Sequence, residues 1–301
     1  MTRSAIPILV LAVLGIGSSA QGQGSVPSPI YGVTVDRVSE LPDIVQSLSK
    51  LCRKPTVRIV FDEGKPAAEY VQAATEIHKV GYVMGEIVDS FFMKQYGVEE
   101  YLTRTSEYLN VLADRVDIWE IGNEINGDWC GPTPPVGAKM VGAYDRVKAA
   151  GKTTELTLYY NRGCAKHPGN EMFAWADANV PERMKQGLDY VLVSYYEDDC
   201  KMLQPEWPGV FRRLATMFPH SKLGMGECGS KYKSRKADYI KRYYSMRIDE
   251  PRYVGGYFWW YYRQDMVPYT KPLWRVLNDA WRELSLPEPP NASSPSPVPT
   301  H

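Results

Sequence analysis

The sequence predicts one α/β domain built as a single (β/α)8 barrel, and three observations carry that prediction. Short apolar runs alternate with amphipathic stretches from residue 31 to residue 284, giving about eight β-then-α units. The 301-residue length and 44% hydrophobic content suffice for one large core, and no shift of composition marks a second domain. A doubly wound open sheet is the structural alternative. Eight units without a glycine-rich phosphate loop count against it.

In chain order, strands are expected at 31–36, 56–62, 82–89, 116–124, 155–161, 190–196, 223–228 and 256–262. Helical patterns fall between them at 42–51, 67–80, 98–113 and 137–150, briefly at 181–186, then at 208–217, 237–246 and 273–284. Gly81 and Gly151 follow the second and fourth patterns, as glycine does where a helix stops. Longer loops rich in Gly, Pro and Asn follow the fourth, fifth and sixth strands. In a parallel barrel those loops crowd the face where active sites are assembled.

The ends read differently. Residues 1–20 carry Arg3, an apolar stretch from Ile6 to Ile16 and a small-residue close at Ser18-Ser19-Ala20. That is the pattern of a secretory signal peptide cut after Ala20, and the apolar run is too short to span a bilayer well. The expected barrel therefore runs over 21–286 of a secreted or periplasmic monomer, with no membrane association after signal removal. The tail 287–301 (PEPPNASSPSPVPTH) has too little apolar content to fold and reads as disordered, rich in Pro and Ser.

Charge and composition exclude several partners. Lys plus Arg equals Asp plus Glu at 35 each, so no net field draws the chain to nucleic acid or anionic lipid. Tyr (21) and Trp (8) outnumber Phe (7), favouring aromatics with a polar tip, as in wet binding clefts. The four histidines are scattered, and no C-x-x-C or H-E-x-x-H occurs, so neither a metal nor a cofactor is expected. Cys52, Cys130, Cys164, Cys200 and Cys228 suit an oxidising compartment. Cys130, Cys164 and Cys200 follow three successive strands, so a bridge between loops at one barrel end is feasible, with the pairing open.

Chemistry concentrates at 116–124, VDIWEIGNE, where a buried run ends on Gly122-Asn123-Glu124. A turn cap would also use Asn and Glu. A second carboxylate, Glu227, ends the seventh strand between Gly226 and Gly229, glycines that let a neighbouring chain or ligand approach closely. In a closed barrel these strand ends face each other across the mouth. Two carboxyl groups across a pocket are the minimum for glycosidic cleavage, one protonated to release the leaving oxygen and one ionised to attack. Ionising one raises the other's pKa, which lets the pair hold different states near neutrality.

Trp119-Glu120-Ile121-Gly122-Asn123-Glu124 with Gly226-Glu227 resembles the clan A glycoside hydrolases, retaining (β/α)8 enzymes. The resemblance implies Glu124 as acid/base, Asn123 as the residue binding the sugar 2-hydroxyl and Glu227 as nucleophile. It likewise implies that Arg58, in Val57-Arg58-Ile59-Val60, lies beneath the nucleophile and keeps it ionised. A structural ion pair with Glu120 is compatible with that role. Tyr196, or Tyr195 beside it, matches a tyrosine that donates to the nucleophile, while Ser194 stands where many members have His. Within Phe258-Trp259-Trp260-Tyr261-Tyr262, Trp260 is favoured over Trp259 as the floor of the sugar subsite.

The residues suggest further contacts. Trp129, in the loop after Glu124, is a candidate for a neighbouring subsite, although loop aromatics often only pin their loop. Asp62 and Asp89 are candidate sugar contacts, whereas the acidic run Glu197-Asp198-Asp199 reads as a solvated loop in preference to a site for sugar hydroxyls or Ca²⁺. Cys228 reads as structural, since no His is near it in sequence. The expected activity is hydrolysis of an oligo- or polysaccharide without a cofactor, with the β linkage implied by the resemblance to clan A. The alternatives are a transglycosylase using the same glutamates and a non-catalytic carbohydrate-binding barrel.

Overall fold

The computed structural model describes residues 26–284; the expected signal peptide (1–20) and tail (287–301) lie outside them. The chain runs β1 (Ile30–Val35), α1 (Leu41–Ser49), β2 (Thr56–Val60), α2 (Val71–Val80), β3 (Tyr82–Glu86), α3 (Val98–Leu112), β4 (Ile118–Glu120), α4 (Thr133–Ala149) and β5 (Thr153–Tyr159). It continues α5 (Met172–Asn179), α6 (Glu182–Gly187), β6 (Tyr190–Tyr195), α7 (Trp207–Met217), β7 (Lys222–Cys228), α8 (Lys233–Tyr244), β8 (Tyr253–Trp259), α9 (Tyr262–Met266) and α10 (Pro272–Leu284). The eight strands pair in sequence order, all parallel, and β8 closes on β1. This is a (β/α)8 barrel.

Strand alternation sorts the side chains into two cores. Val57 and Ile59 of β2 point outward into the large apolar layer under the helices, together with Trp119, Val191 and Val193. Inward positions near the barrel floor form a smaller apolar plug from Ile30, Met84, Ile118, Leu192, Val254 and Phe258. Above that plug the interior turns polar. The register sets Val60 beside Glu86, Glu86 beside Glu120, and Glu120 beside Glu155. Three carboxyl groups thus line adjacent strands in one row. Only a cation and retained protons make such a row tolerable.

β2, β3 and β8 end two or three residues before the expected 62, 89 and 262, and three larger features differ from the sequence expectation. β4 ends at Glu120 rather than Glu124. Its backbone still bonds to β5 through Ile121 N (2.9 Å to Glu155 O) and Gly122 O (3.0 Å from Thr157 N). Glu124 itself adopts φ 44°, a left-handed backbone conformation beyond the strand. The connection from β5 to β6 holds α5 as well as the expected short helix, and α9 follows β8. Both extra helices are one to two turns long, too short for periodicity to announce.

Glycine at 226 answers to the barrel wall: a Cβ there would lie 2.8 Å from Leu192 Cβ. At Gly229 the neighbours are the Tyr196 and Tyr261 rings, 3.0 and 3.1 Å from such a Cβ. These glycines let β7 sit close enough to aim Glu227 inward. The bridge among the loop cysteines is Cys164–Cys200, joining the connections after β5 and β6. Cys130 and Cys228 are buried thiols, bonded to Glu124 O and Tyr257 O.

Candidate active site

The site grows upward from Arg58 on β2. Its guanidinium is fully buried, donates hydrogen bonds to two carboxylates and pairs by charge with a third. Nε and Nη2 donate to Glu120 at 2.6 and 3.0 Å, and Nη1 donates to Glu227 Oε2 at 2.5 Å. Nη2 also lies 3.1 Å from Glu86 Oε2. Burial opposes the charge on Arg58, but Glu120, Glu86 and Glu227 outweigh it and raise its pKa further, so it stays a cation. The structural pair with Glu120 and the contact with Glu227 coexist.

Glu227 and Glu124 line one cavity at the carboxyl ends of the strands. Burial raises the Glu227 carboxyl above its ordinary range, opposed by the Arg58 charge and by hydrogen bonds from Tyr196 and Arg58. Tyr196 Oη donates to Glu227 Oε1 at 2.6 Å. Tyr195 turns outward and donates to Leu203 O instead. Among the described residues no cation pairs with Glu124. Ser194 Oγ donates to its Oε1 at 2.5 Å and Ser90 Oγ to its Oε2 at 2.9 Å. Burial and then the Glu227 charge push it up to about 8, against the pull of those two hydroxyls. One carboxyl therefore has a cationic donor and the other has only neutral ones, which sends the negative charge to Glu227 and the proton to Glu124.

Asn123 is held by both termini of its amide. Nδ2 donates to Glu120 Oε1 at 3.1 Å and Oδ1 accepts from Ser90 N at 2.9 Å. The second Nδ2 hydrogen is left over, in a side chain that also lines the cavity. Trp260 borders the same cavity, with the Arg58 guanidinium carbon 5.7 Å from its ring centroid. Trp259 is fully buried on the outer side and donates to Asp265. Trp129 lines the opposite wall, edge-on to Tyr159 at 5.1 Å, and its Nε1 donates to Ser90 Oγ at 2.9 Å.

Ser90 thus links Trp129, Asn123 and Glu124, and sequence reading passed over it in favour of its neighbour Asp89. Its signal was position alone, one residue beyond Asp89 in the stretch following β3. Tyr159 and Tyr261 also line the cavity unannounced, and Asp199 of the acidic run lines it too. The acidic run at 197–199 is not a solvated loop. Glu197 is buried between Tyr243 and Arg242, and Asp198 accepts from Ser230, Arg235 and Tyr239, with only Asp199 exposed. The partners come from α8 and its approach, more than thirty residues on. Among the described residues, no group of three or more His, Cys, Asp or Glu is arranged to hold a metal ion.

No family model matches the sequence, and no curated protein matches it. Solved structures do. An apo β-glucosidase is similar at 17% identity and TM-score 0.57, over 82% of this chain and 88% of that one. Saccharomyces cerevisiae Gas2p in complex with laminaripentaose aligns at 12% identity and TM-score 0.53, over 88% of this chain and 66% of that one. An FMN-binding β-glucuronidase from Facaelibacterium prausnitzii L2-6 aligns at 14% identity and TM-score 0.51, over 77% of this chain. The chain spans 37% of that glucuronidase and about two thirds of Gas2p. At these identities the likeness is one of fold, and the fold is the closed eight-stranded barrel.

Proposed function

We propose that this protein is an exported, retaining glycoside hydrolase acting on a β-linked oligo- or polysaccharide. The reading is carried by two buried carboxyl groups in one cavity, one tied to Arg58 and the other to two hydroxyls. Ionised Glu227 attacks the anomeric carbon while Glu124 gives its proton to the glycosidic oxygen, and the C1–O bond breaks. Glu124, now a carboxylate, takes a proton from water as the water oxygen displaces Glu227 from C1. Asn123 offers its remaining amide hydrogen to the sugar 2-hydroxyl, and Trp260 meets an apolar sugar face.

The barrel neighbours support the substrate class: two are named for β-glycosides, and Gas2p is described with laminaripentaose. The Cys164–Cys200 bridge supports export. A panel of 2-deoxy-2-fluoro β-glycosides tests the mechanism by mass spectrometry of the trapped protein. A glycosyl adduct on the peptide carrying Glu227 is the expected result; adducts on no panel member, with no turnover of any glycoside, would overturn it. Product analysis with and without an acceptor sugar separates hydrolysis from transglycosylation.

A further inference from the structure

A second cavity, of about 500 Å³, adjoins the catalytic one and shares two of its walls, Asp89 and Trp260. Its remaining lining comes from Asp36 and Arg37 after β1, from Val60 at the end of β2 and Asp62, Glu63 and Lys65 after it, and from Phe92. Nothing in it derives from β4, β5, β6 or β7. The catalytic cavity instead extends toward Trp129, Tyr159 and Asp199, beyond β4, β5 and β6. The two spaces therefore leave the reacting centre in opposite directions.

Resting on the proposed roles of Glu124 and Glu227, we infer that this second cavity binds the next sugar on the glycone side, so the preferred substrate carries at least two glycone units. Chemistry fixes the direction. Glu124 protonates the leaving oxygen, so the aglycone departs past the β4 side of the mouth. The glycone chain must then continue toward β1, β2, β3 and β8, where the second cavity lies. Its size falls within the roughly 300–1,000 Å³ of ligand pockets.

The lining suits a pyranose. Trp260 and Phe92 offer apolar surface to the C–H faces of a sugar ring. Asp62 Oδ2 accepts from Tyr70 and Asp89 Oδ1 accepts from Phe91 N. The other oxygen of each carboxyl has no partner among the described residues and faces sugar hydroxyls as an acceptor. The wall is also braced in advance. Buried Arg104 on α3 donates to Phe61 O, Asp62 O, Lys65 O and Ile87 O, tying together the loops after β2 and β3. Exposed Arg37 and Glu63 stand at the rim, where a longer chain can continue into solvent.

Matched 4-nitrophenyl β-monosides and β-biosides test this: glucoside with cellobioside and laminaribioside, mannoside with mannobioside, xyloside with xylobioside. The expected result is a bioside kcat/KM at least about tenfold above its monoside, with the intact disaccharide as the first sugar product. Asp62→Asn and Phe92→Ala, each checked for an unchanged folded spectrum, should bring that ratio at least about threefold nearer to unity. Equal kcat/KM for monoside and bioside would overturn the inference while leaving the roles of Glu124 and Glu227 intact. A bioside preference untouched by both variants would also overturn it, since the second unit would then bind elsewhere. Turnover of no pair, with no trapped adduct, would remove the parent reading itself.

Discussion

The Ser194 hydroxyl donates to Glu124 Oε1 at 2.5 Å, joining the end of β6 to the turn after β4. Ser194 occupies the position where the resembling clan often has histidine, and here it acts on the proposed acid. A donor to a carboxylate stabilises the ionised form, so Ser194 holds the Glu124 pKa down while burial and Glu227 push it to about 8. Ser194→Ala should therefore raise it. Hydrogen bonds to charged groups contribute about 1.5–3 kcal/mol, and one pKa unit is about 1.4 kcal/mol. The alkaline limb of kcat/KM, which tracks loss of the acid's proton, should move up by about one pH unit. An unmoved or lowered limb would remove Ser194 from the tuning of Glu124.

The two proposed catalytic carboxyls predict different losses. Glu227→Ala removes the attacking group and should abolish turnover of every glycoside. Glu124→Ala should cost about 10²–10⁴-fold on substrates with poor leaving groups, the range of general acid catalysis, and much less on an activated aryl glycoside. Full activity in either variant, measured against both kinds of substrate, would end the assignment. The wild-type pH profile should be bell-shaped, falling below the Glu227 titration and above that of Glu124. These apparent values belong to the pair, because each charge raises the other's pKa.

Trp129 has two readings, a sugar platform or a holder of Ser90, and they separate cleanly. Its Nε1–H fills one lone pair of Ser90 Oγ, which turns the Ser90 O–H toward Glu124 Oε2. Trp129→Phe keeps the aromatic face but deletes the donor. If Trp129 orients Ser90, kcat should fall by about fivefold, in keeping with about 1 kcal/mol for one hydrogen bond, with KM little changed. A platform role alone would leave kcat and the pH profile where they were and show itself only in KM.

Much of this was legible in the chain, for local reasons. Each barrel strand is a short run with its own boundaries, so the eight units could be counted without knowing any contact. Glu124 and Glu227 were visible because each closes such a run, with a glycine one or two residues before it. The Arg58 pairings were partly legible too, since β2 and β4 alternation points both Arg58 and Glu120 inward. What stayed hidden depends on contacts between distant segments. Ser90 matters through Trp129 and Asn123, 39 and 33 positions away. Asp198 and Glu197 look like a solvated acidic run until α8 supplies Arg235, Tyr239, Arg242 and Tyr243. The left-handed backbone at Glu124, φ 44°, is likewise something a glutamate gives no warning of.

The Cys164–Cys200 bridge ties the connection after β5 to the one after β6, next to Asp199 on the cavity wall. Closing 36 residues of sequence restricts the unfolded chain by about 3–4 kcal/mol on the chain-entropy account. Replacing both cysteines by serine should lower the thermal midpoint. It should also raise KM for substrates with long aglycones, which reach that loop, more than for aryl glycosides. An equal effect on both would mean the bridge serves stability alone.

The row of carboxyls at the barrel's centre makes a separate prediction about pH and stability. Glu86 and Glu155 are fully buried, and burial raises both well above the ordinary carboxylate range. For Glu155 the nearby Glu120 charge adds to the rise and Arg58 opposes it. Its Oε1 accepts from Thr157 at 3.0 Å, while Oε2 has no partner among the described residues. A carboxyl whose folded pKa exceeds its unfolded value binds more protons in the native state. Its contribution is fully present below the unfolded pKa and is lost as pH rises through the folded one. The wild-type thermal midpoint should therefore fall on the alkaline side in part because this proton is stripped. Glu155→Gln keeps the shape and the acceptor for Thr157 but cannot ionise. Its midpoint should drop less between pH 6 and pH 9 than that of the wild type. Parallel curves for the two proteins would show that Glu155 carries no proton linked to folding.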